Sequence, residues 1–127
     1  LLLQAAKTKF DRKLAMEQEI SCFLSDVITY AYVAESAMLR VKKLESMGNK
    51  PEDLMNLYKD MLNVFVYEAS SVIRKNAMDT LFSIEDENVT EKYKRAIDRL
   101  TEVPGLNVKE ARRRIADKMI EENKYCF

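Results

Sequence analysis

Carboxylates are the side chains of this sequence that could do acid–base chemistry, because the chain contains no histidine. The most unusual of them is Glu68, which lies between Phe65 and Val72 in an otherwise apolar helical stripe within residues 63–86. An unpaired carboxylate would be costly to bury at such a position. Glu68 is therefore either a catalytic group or a structural acid that a neighbouring donor satisfies.

The pattern around Glu68 favours the structural role. If the two longest helices fold back on each other at residues 48–51, Tyr30 lies roughly opposite Glu68, and Asp26 and Arg74 lie about a turn or more away. The Tyr30 hydroxyl or an arginine could then satisfy the carboxylate, as buried polar groups require. Catalysis would favour a second titratable group that converges with Glu68, and the pattern places none there. We predict that Glu68, Tyr30 and Arg74 are buried structural polar residues, and we assign no catalytic, cofactor-binding or metal-binding residue.

The absence of histidine also excludes imidazole-based catalytic triads, the usual zinc sites and the Glu-x-x-His motifs of di-iron helical bundles. No glycine-rich loop precedes a helix, which argues against the common nucleotide-binding fingerprints. The acidic run at residues 85–87 is interpreted as a solvated loop rather than a metal site. The three arginines at residues 112–114 could bind phosphate or lipid. The acids at 117, 121 and 122 lower the local positive charge, so we interpret the run as a solvated helix face.

The composition fits one domain over all 127 residues, with 21 basic and 21 acidic side chains. This balance argues against a nucleic-acid partner. The two cysteines, Cys22 and Cys126, have no metal-binding spacing, and we expect Cys22 to be buried in a reduced, cytoplasmic protein. No apolar run is long enough to span a bilayer, and membrane contact through this segment is not expected. Because the first residue is not methionine, we expect a piece of a longer chain.

Three similar start signals divide the chain into helices. In each, an asparagine is followed three residues later by a glutamate, which can complete a capping box; they are Asn49 with Glu52, Asn88 with Glu91, and Asn107 with Glu110. The only glycines and prolines lie near residues 48–51 and 104–105. The pattern predicts helices over about residues 9–47, 51–83, 89–102 and 108–124, and no strands.

The two long predicted helices carry apolar residues at alternating spacings of three and four, which is typical of packed antiparallel helices. A turn at Gly48 would join them into a hairpin, and each shorter helix would cover part of it. The sequence thus predicts an all-α fold, an antiparallel up-down bundle of four helices built on one long hairpin. An apolar surface left uncovered at one end would require a partner, and a homodimer stays open.

Three stretches of the sequence resemble a known family. They are Phe65-Val-Tyr-Glu68-Ala69 with Val72, Ala77 and Leu81; Ser25-Asp26 with residues 30–37 and Leu39-Arg40; and the ending at residues 114–127. The first two are similar to helices of the C-terminal bundle of acyl-CoA dehydrogenases. The third is similar to the tail of long bacterial members, of the very-long-chain type, which carry an extra helical domain. The resemblance implies a parent enzyme that uses FAD to oxidise acyl-CoA to trans-2-enoyl-CoA, with its active site upstream of Leu1.

One departure from the family pattern indicates that the segment itself is not catalytic. In the catalytic bundle the corresponding helix ends in glycines, which let the backbone approach the flavin. Here the same place reads Leu81-Phe82-Ser83-Ile84-Glu85, whose bulky side chains would prevent that approach. The family's catalytic glutamate also has no match. The resemblance therefore implies a degenerate copy of the catalytic bundle, without a cofactor of its own.

Two classes of function follow. The leading hypothesis is a non-catalytic auxiliary domain of an FAD-dependent acyl-CoA dehydrogenase of fatty acid β-oxidation, which packs on the enzyme's core and influences oligomerisation. The alternative is a free-standing helical adaptor that offers a groove to a partner helix. The missing methionine and the tail favour the first.

Overall fold

The protein is described by a computed structural model, which covers residues 1–84 and 87–125 and, among these, all side chains except those of residues 87–89. The described residues form five α helices: α1 (Leu2–Phe10), α2 (Gln18–Met47), α3 (Glu52–Ile84), α4 (Glu87–Leu100) and α5 (Val108–Glu122). A 3₁₀ helix, Asp11–Met16, separates α1 from α2. The described ranges contain no strand, which confirms the all-α prediction.

The first predicted helix differs most from the structure. Residues 9–47 do not form one helix, because the chain breaks at Asp11, which adopts φ 45° and ψ −122°. The Asp11 amide donates to the Lys7 carbonyl and so closes α1. An additional helix precedes this break, and its Ala5 and Ala6 are buried. The sequence pattern did not predict this break, because the sequence there contains neither glycine nor proline.

Replacing Asp11 with glycine should stabilise the protein. A non-glycine residue with such a positive φ stores strain on the order of 1–3 kcal/mol, and glycine relieves it at an entropic cost of about 0.5–1 kcal/mol. We expect Asp11→Gly to raise the free energy of unfolding by about 0.5–1 kcal/mol in urea denaturation. The matched control is Arg12→Gly, whose φ is not positive. It should lower stability by a similar amount, and equal losses in both variants would contradict the strained geometry.

The turn between α2 and α3 forms as predicted around Gly48. Gly48 adopts φ 61°, in the left-handed region that favours glycine just after a helix. Its amide donates to the Glu45 carbonyl at 3.2 Å. Beyond the turn, α3 begins at Glu52, and Met55 N donates to the Pro51 carbonyl at 3.0 Å. Lys59 Nζ lies 2.5 Å from Glu45 Oε1, so the end of α2 and the start of α3 are antiparallel neighbours.

For one of the three predicted capping boxes, at the start of α5, the structure gives the hydrogen bond of the cap. Asn107 Oδ1 accepts a hydrogen bond from the Glu110 amide at 3.2 Å, which confirms Asn107 as the cap of α5. The Glu110 carboxylate, however, binds Arg113 Nη1 at 3.0 Å and Lys109 Nζ at 3.1 Å. Asn88, predicted to cap the helix over residues 89–102, lies instead within α4, which begins at Glu87. Residues 85 and 86 of the acidic run and the side chains of residues 87–89 lie outside the described residues.

By its internal contacts the chain divides into two compact units. The first comprises Leu1–Tyr32 and Ala69–Glu102, and the second comprises Val33–Glu68 and Val103–Phe127. The prediction of one domain over residues 1–127 stays a prediction. The described residues form five α helices rather than the four predicted, and the up-down arrangement stays a prediction.

Most of the buried apolar side chains belong to the first unit. All of these except Ala69 form two clusters: Ala5, Ala6, Ile20, Leu24 and Ile84, and Ala77, Met78, Leu81 and Ile97. Leu2 and Tyr93 pack against both clusters. The buried apolar residues of the second unit are Met55, Leu57 and Ala111 among those the structure describes.

Cys22 is exposed, so the prediction of a buried cysteine is wrong. Ile20 and Leu24 face the core, and a residue two positions along a helix from each points to roughly the opposite side. Cys126 lies outside the described residues. In the part of the chain that the structure describes, no helix has the length and apolar character needed to cross a bilayer.

Candidate functional site

Glu68 is not buried. Its side chain is 49% exposed, and its carboxylate forms an ion pair with Arg112 of α5, 44 residues further along the chain. The buried face of α3 in this region runs through Ala69, Ser70 and Asn76, so Glu68 lies one residue, or about 100°, off that face. The prediction of burial was wrong because it extended the apolar stripe through Phe65 and Val72, which are only half-buried.

Two of the residues predicted to lie near Glu68, Arg74 and Asp26, have hydrogen-bond partners of their own. Arg74 is exposed, so the prediction that it is buried is wrong, and its Nη2 donates to Asp98 of α4 at 2.6 Å. Asp26 accepts a hydrogen bond at 3.1 Å from the Nδ2 of Asn76, which is buried. Tyr30 is half-buried. The structural, rather than catalytic, role of Glu68 and of these residues stays a prediction.

The arginine run on α5 is neutralised by acids. Arg112 binds Glu68, Arg113 binds Glu110, and Arg114 makes a bidentate pair with Asp60, at 2.7 Å from Nε and 2.8 Å from Nη2. The hydrogen bond to Asp60 is the main cause that raises the pKa of Arg114 above its ordinary value. Because two of these pairs join α5 to α3, the run serves packing within the second unit rather than presenting unpaired charge to an anionic ligand.

The sequence pattern pointed to the acids of α5 itself as the groups that offset these arginines. Asp60 and Glu68 belong to α3, and local spacing does not reveal which α3 positions lie opposite an arginine. A signal was nevertheless present. Positions 112 and 114 carry arginines near the buried Ala111, and such positions flank the buried side of a helix.

The last turn of α5 carries a second charged group. Lys118 Nζ lies 2.9 Å from Glu122 Oε1 and 3.2 Å from Glu121 Oε2. The hydrogen bond from Lys118 is the main cause that lowers the pKa of Glu122, and the charges of Lys118 and Lys124 lower it further. The same carboxylates raise the pKa of Lys118.

These pKa shifts predict a pH dependence at the end of α5. Because the pKa of Glu122 is lowered by folding, its contribution to stability is present above its unfolded pKa and is lost as the pH falls through the folded value. We expect Lys118→Gln to raise the pKa of Glu122, measured by NMR titration of its carboxyl carbon. Lys109→Gln is the control and should leave it unchanged, because Lys109 contacts Glu110 instead. An unaltered Glu122 titration in Lys118→Gln would contradict the pairing.

No group of three or more acidic or cysteine side chains in the described ranges is arranged to hold a metal ion. Two surface grooves, one in each unit, have mostly apolar walls. The groove of the first unit, hereafter the α4 groove, has a volume of about 330 Å³, and its walls include Leu1, Leu3, Ile28, Ala77, Ile97 and Leu100. Thr101 is the one polar side chain among the described residues that line it.

The groove of the second unit is larger, about 550 Å³, and more polar. Glu35, Asn63 and Tyr67 line it together with the loop at residues 103–106. Among the described residues, neither groove brings together the nucleophile, base and oxyanion donor that acyl transfer would require.

The end of α3, where the resemblance implies glycines next to a flavin, is filled with side chains. Leu81 is fully buried and Ile84 nearly so, and both belong to the apolar clusters of the first unit. Phe82 points outward. A flavin that approaches this backbone would have to displace the core, so the residues present do not fit the cofactor at this helix end.

The described residues thus form helices and no strand, with an apolar groove in each unit and, on α5, arginines that are paired with acids. The sequence profile described as "Acyl-CoA dehydrogenase, C-terminal domain" matches residues 1–99. The chain belongs to this family.

Two relatives support the assignment. A protein of Bacillus subtilis (strain 168) named "Probable acyl-CoA dehydrogenase" is 30% identical over 82 residues, which is 64% of this chain and 13% of the relative. The crystal structure of an acyl-CoA dehydrogenase complexed with FAD from Bacillus anthracis matches with a TM-score of 0.87 and 28% identity. That match covers 99% of this chain but 22% of the solved chain. The chain therefore spans a small part of these relatives.

Proposed function

We propose that this chain is a cytoplasmic, non-catalytic auxiliary domain of an FAD-dependent acyl-CoA dehydrogenase, where it packs on the catalytic core and influences the oligomeric state. The observation that carries the proposal is the match of nearly the whole chain, at a TM-score of 0.87, to about a fifth of an FAD-containing dehydrogenase. Most of that relative has no counterpart here, so we place the flavin and the chemistry in the remainder of the parent chain.

The arrangement of the titratable groups supports a non-catalytic role. Glu68 is engaged by Arg112, Asp60 by Arg114 and Asp98 by Arg74, so these acids act as partners in ion pairs. A general base needs a free carboxylate within reach of the substrate proton. The end of α3 supports the same conclusion, because the buried Leu81 and Ile84 stand where the family resemblance implies glycines beside a flavin.

The reaction of the parent follows from the family. The parent would oxidise an acyl-CoA to its trans-2-enoyl-CoA in fatty acid β-oxidation, with FAD accepting the electrons. We assign the parent to the very-long-chain type on the tail at residues 114–127. This domain would act on the reaction indirectly, through the stability and assembly of the core.

The proposal is tested on the full-length polypeptide that carries this sequence. The full-length protein and a form that lacks residues 1–127 are purified and compared by flavin absorbance, dehydrogenase activity with acyl-CoA substrates, and light scattering. We expect both to bind FAD and the shortened form to change its oligomeric state. A flavin that is lost with this domain, or a gene that encodes no dehydrogenase core, would overturn the proposal. The second result would favour the free-standing adaptor.

A further inference from the structure

We propose that α5 is a detachable helix, held on α3 mainly by ion pairs, which leaves and rejoins the second unit while the rest of the protein stays folded. Ionic strength sets the balance between the docked and the undocked state. The device depends only on residues of the second unit and goes beyond the proposed function, which does not require α5 to move.

The apolar surface that α5 buries is small. Ala111 is the one buried residue of this helix, all of which the structure describes, and Val108 and Ile115 are half-buried. Met119 and Ile120, which continue the apolar pattern, are 39% and 76% exposed. Because the hydrophobic gain is proportional to the apolar area removed from water, α5 gains little from this contact. It lacks the continuous buried stripe that fixes most surface helices.

Two ion pairs join α5 to α3 instead. Arg112 binds Glu68, and Arg114 binds Asp60 with Nε at 2.7 Å and Nη2 at 2.8 Å. Asp60 is 15% exposed, whereas the other three side chains are 49–60% exposed. Salt ions can therefore reach both pairs, and screening weakens the attraction between exposed charges. The docked state of α5 should thus become less favourable as the salt concentration rises.

Part of the contact between α3 and α5 is open to water. A crevice of about 680 Å³ lies between the two helices, and the residues that line it are charged except for Asn56 and Leu57. Charged walls favour water over an apolar seal. Opening this contact therefore exposes little new apolar surface, which keeps the cost of undocking low.

An undocked α5 would not remain a stable helix. The helix has 15 residues. Isolated helices shorter than about 12–15 residues are marginal in water even for favourable sequences, so most helical stability in proteins comes from packing. When α5 leaves α3, its internal hydrogen bonds therefore open and its amides exchange with solvent. Hydrogen exchange in α5 reports how often the helix undocks.

The test measures hydrogen–deuterium exchange by mass spectrometry on the full-length protein, at about 0.1 M and about 1 M NaCl, between which the Debye length falls from about 10 Å to about 3 Å. We expect peptides from α5 to exchange about 3- to 10-fold faster at the higher salt concentration, as two weakened surface pairs would allow.

The internal control is the end of α3, where Ala77, Met78 and Leu81 form a buried apolar cluster. Screening does not weaken apolar burial, so exchange in this segment should change by less than about 2-fold between the two salt concentrations.

Two variants separate the contact with α3 from the charge of α5. Arg114→Gln removes the pair with Asp60 and should speed exchange in α5 about 5- to 10-fold at the lower salt concentration, with a smaller further increase at the higher one. Arg113→Gln removes the same charge from the same helix, but its partner Glu110 also lies on α5. Exchange in that variant should stay within about 2-fold of the unmodified protein.

Exchange in α5 that does not respond to salt, or that rises equally in Arg113→Gln and Arg114→Gln, would overturn the inference. So would a single common exchange rate for α5 and residues 52–68, because α5 would then open only when the second unit unfolds. The proposed function fails on a different observation, namely a full-length protein without a flavin-binding core.

Discussion

Replacing Leu81 with alanine is expected to lower the free energy of unfolding by about 2–5 kcal/mol, the range for removing a fully buried leucine side chain. Leu81 has no exposed surface and belongs to the cluster of Ala77, Met78 and Ile97, against which Tyr93 also packs. Small neighbours such as Ala77 cannot extend into the cavity. Because domains of this size are stable by about 5–15 kcal/mol, the loss should be evident in urea denaturation followed by circular dichroism.

The neighbouring residue provides the control for Leu81. Phe82 lies on the same helix and is larger, but its side chain is exposed. Phe82→Ala should change the free energy of unfolding by less than about 1 kcal/mol. If both variants lost the same stability, Leu81 would not be part of the core. The interpretation of a filled flavin-facing helix end would then be wrong as well.

The features that sequence predicted well are those encoded by neighbouring residues. The turn at Gly48 depends on one residue that tolerates a positive φ, and the start of α5 depends on the Asn107 side chain reaching the amide three residues later. The end of α3 was also interpretable locally. Leu81 and Ile84 stand where the family resemblance implies glycine, and both are buried.

The features that sequence missed depend on contacts between distant segments or on an unusual backbone. Asp11 adopts a positive φ although it is not glycine, so no breaker marked the end of α1. Glu68 was predicted to lie on the buried face of α3, but it lies one residue away from that face. The prediction relied on Phe65 and Val72, which have the right spacing for a buried face but are only half-buried. Arg112, the partner of Glu68, is 44 residues away, and helical periodicity carries no information about that register.

The ion pairs between α3 and α5 give the arginine run a structural meaning. Few residues of the second unit are buried, and Ala111 is the buried residue of α5. A helix with so small a buried face gains little from apolar burial. The packing of α5 on α3 therefore depends largely on the ion pairs of Arg112 and Arg114. A helix with a large apolar face would depend less on such pairs.

Arg114→Gln is expected to lower the melting temperature by on the order of 5 °C, more than Asp60→Asn does. The two side chains differ in exposure, at 56% for Arg114 and 15% for Asp60. Loss of the arginine leaves a largely desolvated carboxylate without its bidentate partner, whereas loss of the carboxylate leaves an arginine that water can solvate. The double variant should therefore melt close to Asp60→Asn.

The same run supplies the control. Arg113→Gln removes a pair between two exposed side chains within α5, Arg113 and Glu110, and should shift the melting temperature by no more than about 1 °C. Thermal unfolding followed by circular dichroism at low and moderate salt measures all four variants. Equal losses in Arg113→Gln and Arg114→Gln would mean that net charge, rather than the contact with Asp60, holds α5 in place. A double variant less stable than either single one would contradict the coupling of the pair.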